Sequence, residues 1–126
     1  MMARAVGVGG IFLKAKDPKV LSAWYAEHFG IPSVEGGSLV FDGPSAAGMT
    51  VFSHFPHTTE YFGTSQQQAM VNLRVDNLDD LLAALATAGV TIDPKREDYG
   101  YGRFAWIIDP EGNRVELWQP SEDAST

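Results

Sequence analysis

Apolar residues along the chain change from period two to helical spacing and back, and the same order then recurs. In "GVGGIFLKA", residues 7–15, Ile11, Leu13 and Ala15 alternate with Gly10, Phe12 and Lys14, the pattern of a strand with one face on a core. "KDPKVLSAWYAEHFGIP" follows. Asp17 can cap the first free N–H groups of a helix, and Pro18 suits its first position. Leu21, Trp24, Tyr25 and His28 or Phe29 recur at helical spacing, and Gly30 with Pro32 ends the run. "PSVE", "SLVFD" and "MTVFSHF" then predict three short strands with glycine-rich breaks. "PHTTEYFGTSQQQ" has no period and gives a linker over 57–68.

The pattern restarts in "AMVNLRVDNLDDLLAALATAGVT". Val71, Leu73 and Val75 form one face of a strand, Asn77 caps a helix rich in leucine and alanine, and Gly89 stops it. Asn77 lies 60 residues beyond Asp17, and at that displacement Val71, Leu73 and Val75 fall on Ile11, Leu13 and Ala15. "VTIDP", "GRFAWIID" and "RVELWQP" complete the second unit. Such a repeat predicts a single domain over 1–126 of α+β class. It is built from two tandem βαβββ modules, about 7–56 and 69–120, forming a curved mixed sheet around a cleft, with a polar tail at 121–126. A helix covers one face of each small sheet, and the two uncovered faces together make the cleft.

The 126 residues suit one compact domain, and 44% hydrophobic content is enough for a core. A net charge of -7 argues against a nucleic-acid binder, which normally carries a basic stripe. With no cysteine in the chain, disulfides, thiolate metal sites and a cysteine nucleophile are excluded. No run is apolar enough for a signal peptide or a membrane span, so the expected location is cytoplasmic. "DPEGN" has the chemistry of a tight turn. Asp109 and Asn113 bind local backbone, Pro110 fixes φ, and Gly112 allows a positive φ.

The duplicated order, with "VNLRVDNLDDLLAALATAGV" and "YGRFAWIIDPEGNRVELWQP", resembles the vicinal oxygen chelate superfamily, also called glyoxalase/bleomycin resistance/dioxygenase. It holds isomerases, dioxygenases, lyases and metal-free drug-binding proteins. The resemblance implies four metal-ligand positions facing the cleft: Gly10, Met70, Glu116, and one near Thr50 or Phe52. Only Glu116 is a usual ligand. Gly10 has no side chain, and the Met70 thioether is a poor partner for hard divalent ions. The expectation is therefore no cofactor, with a divalent metal on Glu116, aided by His54, as the alternative.

Alternation places Gly10, Phe12 and Lys14, then Met70, Asn72 and Arg74, then Arg114, Glu116 and Trp118 on the cleft face. In "GRFAWII" it does not decide between Phe104, Trp106 and Ile108 and the opposite set. The candidate ligand-binding residues are Phe12, Phe52, Met70, Asn72, Trp106, Glu116 and Trp118. They predict a small-molecule pocket of aromatic walls with Glu116 as polar anchor. Tyr99 and Tyr101 in "EDYGYGRF" are candidates for a loop over its mouth. Gly10 would leave room for the ligand.

The resemblance implies a homodimer of the bleomycin-resistance type that sequesters drugs or metabolites. Two alternatives stand beside it. One is a glyoxalase-like lyase or isomerase, or a dioxygenase relative, with Glu116 as ligand or general base. The other is a structural dimer without a small ligand, where Glu116 pairs with Arg103 or Arg114.

Overall fold

The computed structural model describes residues 3–34, 37–41, 48–63 and 66–121. The first unit comprises β1 (Ala5–Ala15), α1 (Pro18–Phe29), β2 (Leu39–Phe41) and β3 (Thr50–Pro56). The second comprises β4 (Ala69–Val75), α2 (Leu78–Thr87), β5 (Thr91–Tyr99), β6 (Gly102–Ile108) and β7 (Arg114–Pro120). The fold is α+β, with two βαβββ-like modules. Of the three strands expected after α1, "PSVE" is reduced to an isolated bridge between Ser33 and Leu39. Glu35, Asp42 and the tail residues 122–126 lie outside the described residues.

Both helices start where the sequence places their caps. The Asp17 carboxylate accepts from the Val20 N–H at 3.1 Å, and the Asn77 side chain accepts from Asp80 N–H at 3.0 Å. Each satisfies one of the amide groups that a helix leaves free at its start. Gly30 closes α1 at φ 65, a conformation that a side chain resists. Between β6 and β7, Asp109 accepts from the backbone N–H groups of Glu111 and Asn113, both at 2.9 Å. That fixes the predicted turn.

The strands form one seven-stranded mixed sheet in the order β2-β3-β1-β4-β7-β6-β5. Its seam is the antiparallel pair β1–β4, so the two modules join within a single chain. On the α2 side, Val75, Leu78, Leu82, Ala105 and Leu117 are buried together. On the other side, Phe12, Phe62, Met70 and Trp106 form a second core. β4 and β7 present the faces that alternation assigns to them, and the structure, where alternation was undecided, sets Phe104 and Trp106 on the cleft side with them.

The stretch predicted as a featureless linker contributes to this second core. Phe62 is 0% exposed and packs edge-on to Phe55, while Tyr61 stacks on Phe55 at 5.4 Å. The "EDYGYGRF" segment is no long loop either. Residues 97–99 continue β5, and only Gly100 and Tyr101 turn into β6.

Candidate functional site

Glu116 sits at the centre of the cleft side. Its Cα pairs with Asn72 on one flank and Trp106 on the other. Three donors from three segments converge on its carboxylate. Asn72 Nδ2 donates to Oε1 at 2.6 Å and Trp106 Nε1 to Oε2 at 3.0 Å. The Tyr61 hydroxyl also donates to Oε2. Glu116 is 2% exposed. Burial pushes its pKa up, against the pull of the three hydrogen bonds, and nearby Glu97 adds to the rise. Tyr61 is pushed far up as well, first by burial and then by the charge beside it. Carboxyl and phenol therefore share one poorly solvated corner.

Beside this cluster lies a cavity of about 490 Å³. Phe12, Phe55, Phe104, Trp118 and Tyr101 give it aromatic walls; Tyr61, Asn72 and Ser53 add polar groups. Phe104 stacks on Trp118 at 6.0 Å, and Tyr99 stacks on Tyr101 at 5.2 Å. Aromatic walls with a few fixed polar groups are what small-ligand sites offer, and the size falls in their usual range.

Of the seven candidates read from the sequence, Phe12, Asn72 and Trp118 line this cavity. Met70, Trp106 and Glu116 share its side of the sheet but lie buried outside its lining. Phe52 does not belong with them. Gly10 pairs with Val51 and Phe12 with Ser53, so the cleft-facing residues of β3 are Val51, Ser53 and Phe55. Phe52 points the other way and meets Tyr25 of α1 edge-on at 5.0 Å.

His54 shares the α1 side, two residues on from Phe52. Its Nδ1 is hydrogen-bonded to Ser22 at 2.9 Å, and its ring stacks on Tyr25 at 5.4 Å. Burial lowers its pKa. His54 and Glu116 thus lie on opposite faces of the sheet and cannot share a metal ion.

The arginine pairing is also corrected. Arg103 faces α2 and holds Asp79 through two bonds of 2.9 and 3.0 Å, while Arg114 holds Asp93 at 2.5 Å. Neither reaches Glu116, whose partners are Tyr61, Asn72 and Trp106.

The empty space expected at Gly10 is filled by the protein itself. A Cβ on Gly10 would lie 2.8 Å from the Phe12 ring. A shift of register between Val8 and Gly10 leaves Gly9 extra on β1. A Cβ on Gly9 would meet Asn72 Oδ1 at 2.3 Å and the Trp118 ring at 2.9 Å. These glycines make room for neighbouring side chains, as glycine in strand interiors commonly does.

The donor set does not fit the metal ion that the resemblance implies. Glu116 is surrounded by hydrogen-bond donors, not by further ligands. Among the described residues, no group of three or more His, Cys, Asp or Glu could hold an ion.

A larger cavity, about 860 Å³, opens between α1 and the sheet edge near Ser22, Ser38, Leu39 and His54. It has neither the aromatic walls nor the buried carboxylate. The smaller cavity is therefore the candidate site.

Sequence reading missed Tyr61, Phe55 and the β3 register. Two adjacent aromatics, Tyr61 and Phe62, in a polar stretch were the available signal, because solvated linkers have little use for them.

Residues 7–117 match the family model described as Glyoxalase/Bleomycin resistance protein/Dioxygenase superfamily. No curated protein matches the chain. Among solved structures, a methylmalonyl-CoA epimerase in complex with methylmalonyl-CoA and NH4+ is similar at TM-score 0.71 and 15% identity, covering 98% of this chain and 100% of that one. Methylmalonyl-CoA epimerase from Mycobacterium tuberculosis gives TM-score 0.67 and 18% identity over 94% of this chain and 91% of that one. A variant of the Streptomyces coelicolor epimerase in complex with 2-nitronate-propionyl-CoA gives TM-score 0.72 and 13% identity, covering 98% and 99%. At such identities the likeness is one of fold.

Proposed function

We infer that this chain, which belongs to the glyoxalase/bleomycin resistance protein/dioxygenase superfamily, is a metal-free small-molecule binding protein that holds its ligand in the aromatic cavity beside Glu116. The cavity itself carries the reading: about 490 Å³, walled by Phe12, Phe55, Phe104 and Trp118, with Asn72 and Tyr61 at hand. Glu116 anchors that polar end from behind. It holds the Asn72 amide and the Tyr61 hydroxyl in fixed orientations and does not line the cavity itself. No Lys or Arg is among the described lining residues, which supports a ligand without phosphate groups.

A thermal-shift screen with drug-sized aromatic compounds tests the reading. A ligand at 100 times its Kd adds about 2.7 kcal/mol of stability. Metal analysis of protein purified without chelator belongs beside it, and a stoichiometric divalent ion lost in Glu116→Ala would overturn the metal-free reading. The family also supports a homodimer, checked by sedimentation, and sequestration of drugs or metabolites as its use.

A second reading, an isomerase that moves a proton next to a carbonyl, draws on the direct Tyr61–Glu116 hydrogen bond at the cavity wall. Burial counts against it by making the phenolate scarce. Deuterium uptake from D2O into methylmalonyl-CoA, dependent on Tyr61 and Glu116, would favour it.

A further inference from the structure

The smaller and larger cavities meet at a notch in the edge of the sheet. In the second module, β6 pairs with β7 along its whole length, from Arg114 to Pro120. In the first, β2 is only three residues long and pairs with β3 from Thr50 to Phe52. β3 runs on to Pro56, so among the described residues its outer flank has no strand partner beyond Phe52. From Ser53 onward the edge of the first module is open where that of the second is closed.

Ser38 and Ser53 frame this notch, and each of them lines both cavities. Ser53 is 8% exposed and donates to the Ser38 hydroxyl at 2.9 Å. The Ser38 proton can then turn to a ligand oxygen. Beyond the notch, Leu39 of β2 and Ala23 and Ala26 of α1 line the larger cavity. Ser22 and His54 line it too, but they are hydrogen-bonded to each other at 2.9 Å. The wall next to the notch is therefore largely apolar or already paired. The same volume explains why α1 buries no residue, since the inner face of that helix borders on a cavity.

We propose that the ligand is an elongated molecule, an aromatic body joined through a carbonyl to an unbranched alkyl chain, and that the chain passes beside Ser38 and Ser53 into the cavity under α1. The inference rests on the binding reading above and names its ligand class. The body packs among the rings of the smaller cavity. The carbonyl lies at the notch and accepts from the Ser38 hydroxyl. The chain leaves water for the apolar wall of Ala23, Ala26 and Leu39. An unbranched chain suits a crossing framed by two side chains.

The test is calorimetric titration of the full chain with N-methylnaphthamide and N-hexylnaphthamide, which share body and carbonyl and differ only in the chain. The hexyl compound is expected to bind about 10-fold or more tighter. Ala26→Leu fills the larger cavity alone, so it should remove most of that gain and leave the methyl compound unchanged. Ser38→Ala should weaken both amides by about 5-fold, because both carry the carbonyl. Unchanged binding there would overturn the carbonyl contact. In the wild-type protein, the end of the hexyl chain should show a nuclear Overhauser contact with the Ala26 methyl group. If the two amides bind equally, if the gain survives Ala26→Leu, or if that contact is missing, the inference is overturned and the cavity reading stands. If neither amide binds, the cavity reading fails and the inference with it. The wild-type contact decides even if a variant does not fold.

Discussion

Helix α2 buries Leu78 and Leu82 against the sheet, whereas α1, capped in the same way and set after the corresponding strand, buries no residue. The leucines of α2 recur at positions 78, 81, 82 and 85, a stripe that meets β4, β6 and β7 in one apolar cluster. In α1 the corresponding stripe is mixed. Ser22 and Tyr25 meet His54 and Phe52, and a cavity of about 860 Å³ opens beside them. Val20, Trp24 and Phe29 face outward. A repeat in sequence therefore repeats the elements but not the packing. The second module also supplies Asn72, Trp106 and Glu116, so the polar network rests on the better-packed half. The first module supplies the Phe12 and Phe55 walls.

The strongest way to test that contrast is Leu82→Ala. The side chain is nearly fully buried in the α2 cluster, and truncation at such sites costs about 2–5 kcal/mol. Urea unfolding gives the value. A loss under about 1 kcal/mol would mean that α2 is no better seated than α1.

Next comes Tyr61→Phe, which removes one of three donors from a buried carboxylate while keeping the ring stacked on Phe55. Hydrogen bonds to charged groups contribute about 1.5–3 kcal/mol. The same chemical change at Tyr25 removes no hydrogen bond described here, and it should cost less. Equal losses at Tyr25 and Tyr61 would erase the distinction between the two sides.

The features that were legible in the sequence were local ones. Asp17 and Asn77 announce helices because a cap acts within three residues. In β4, apolar Val71, Leu73 and Val75 alternate with Met70, Asn72 and Arg74, so the cleft face of that strand could be read directly. In "TVFSHF" both faces carry aromatics, and alternation cannot rank them. Only pairing of β1 with β3, which opposes Gly10 to Val51, shows that Phe52 faces α1. The partners of Glu116 were half legible for the same reason. Asn72 came from a clean alternation, Trp106 from an undecided one, and Tyr61 from a stretch with no period at all. Nor does the sequence mark the β1–β4 seam, since backbone pairing leaves no trace in side-chain pattern.

Acid titration sharpens the comparison further, with a smaller effect. In the folded protein the Glu116 pKa lies above its ordinary value of 4.5. Between 4.5 and that raised value the folded state binds more protons than the unfolded state, so stability rises as pH falls through this window. Asp79, Asp93 and Asp109 are held below 3.8, chiefly by Arg103, Arg114 and the backbone of the Asn113 turn respectively. Their contribution is present above 3.8 and is lost as pH falls below it through their folded values. Urea unfolding at stepped pH should show wild type gaining on Glu116→Gln as pH falls through the raised Glu116 value to 4.5, with both proteins weakening below 3.8. A constant difference across the upper window would mean that Glu116 titrates like an exposed carboxylate, and that the corner it occupies admits water.

The smallest effect is expected on α1. Val20 is 65% exposed, and its neighbour in space on the next turn, Trp24, is exposed too. Removing two methyl groups from such a site forfeits almost no buried area. Alanine is also the better helix former, because valine loses rotamer freedom against the preceding turn. Val20→Ala should therefore change stability by no more than about 0.5 kcal/mol, and in either direction. The measurement is informative because the apolar surface is there to be covered. If Val20→Ala costs as much as Leu82→Ala, and the cost grows with protein concentration, then α1 is not the loosely seated helix. It would be a helix whose partner lies in a second copy of the chain, and the two modules would differ in what they pack against, not in how well.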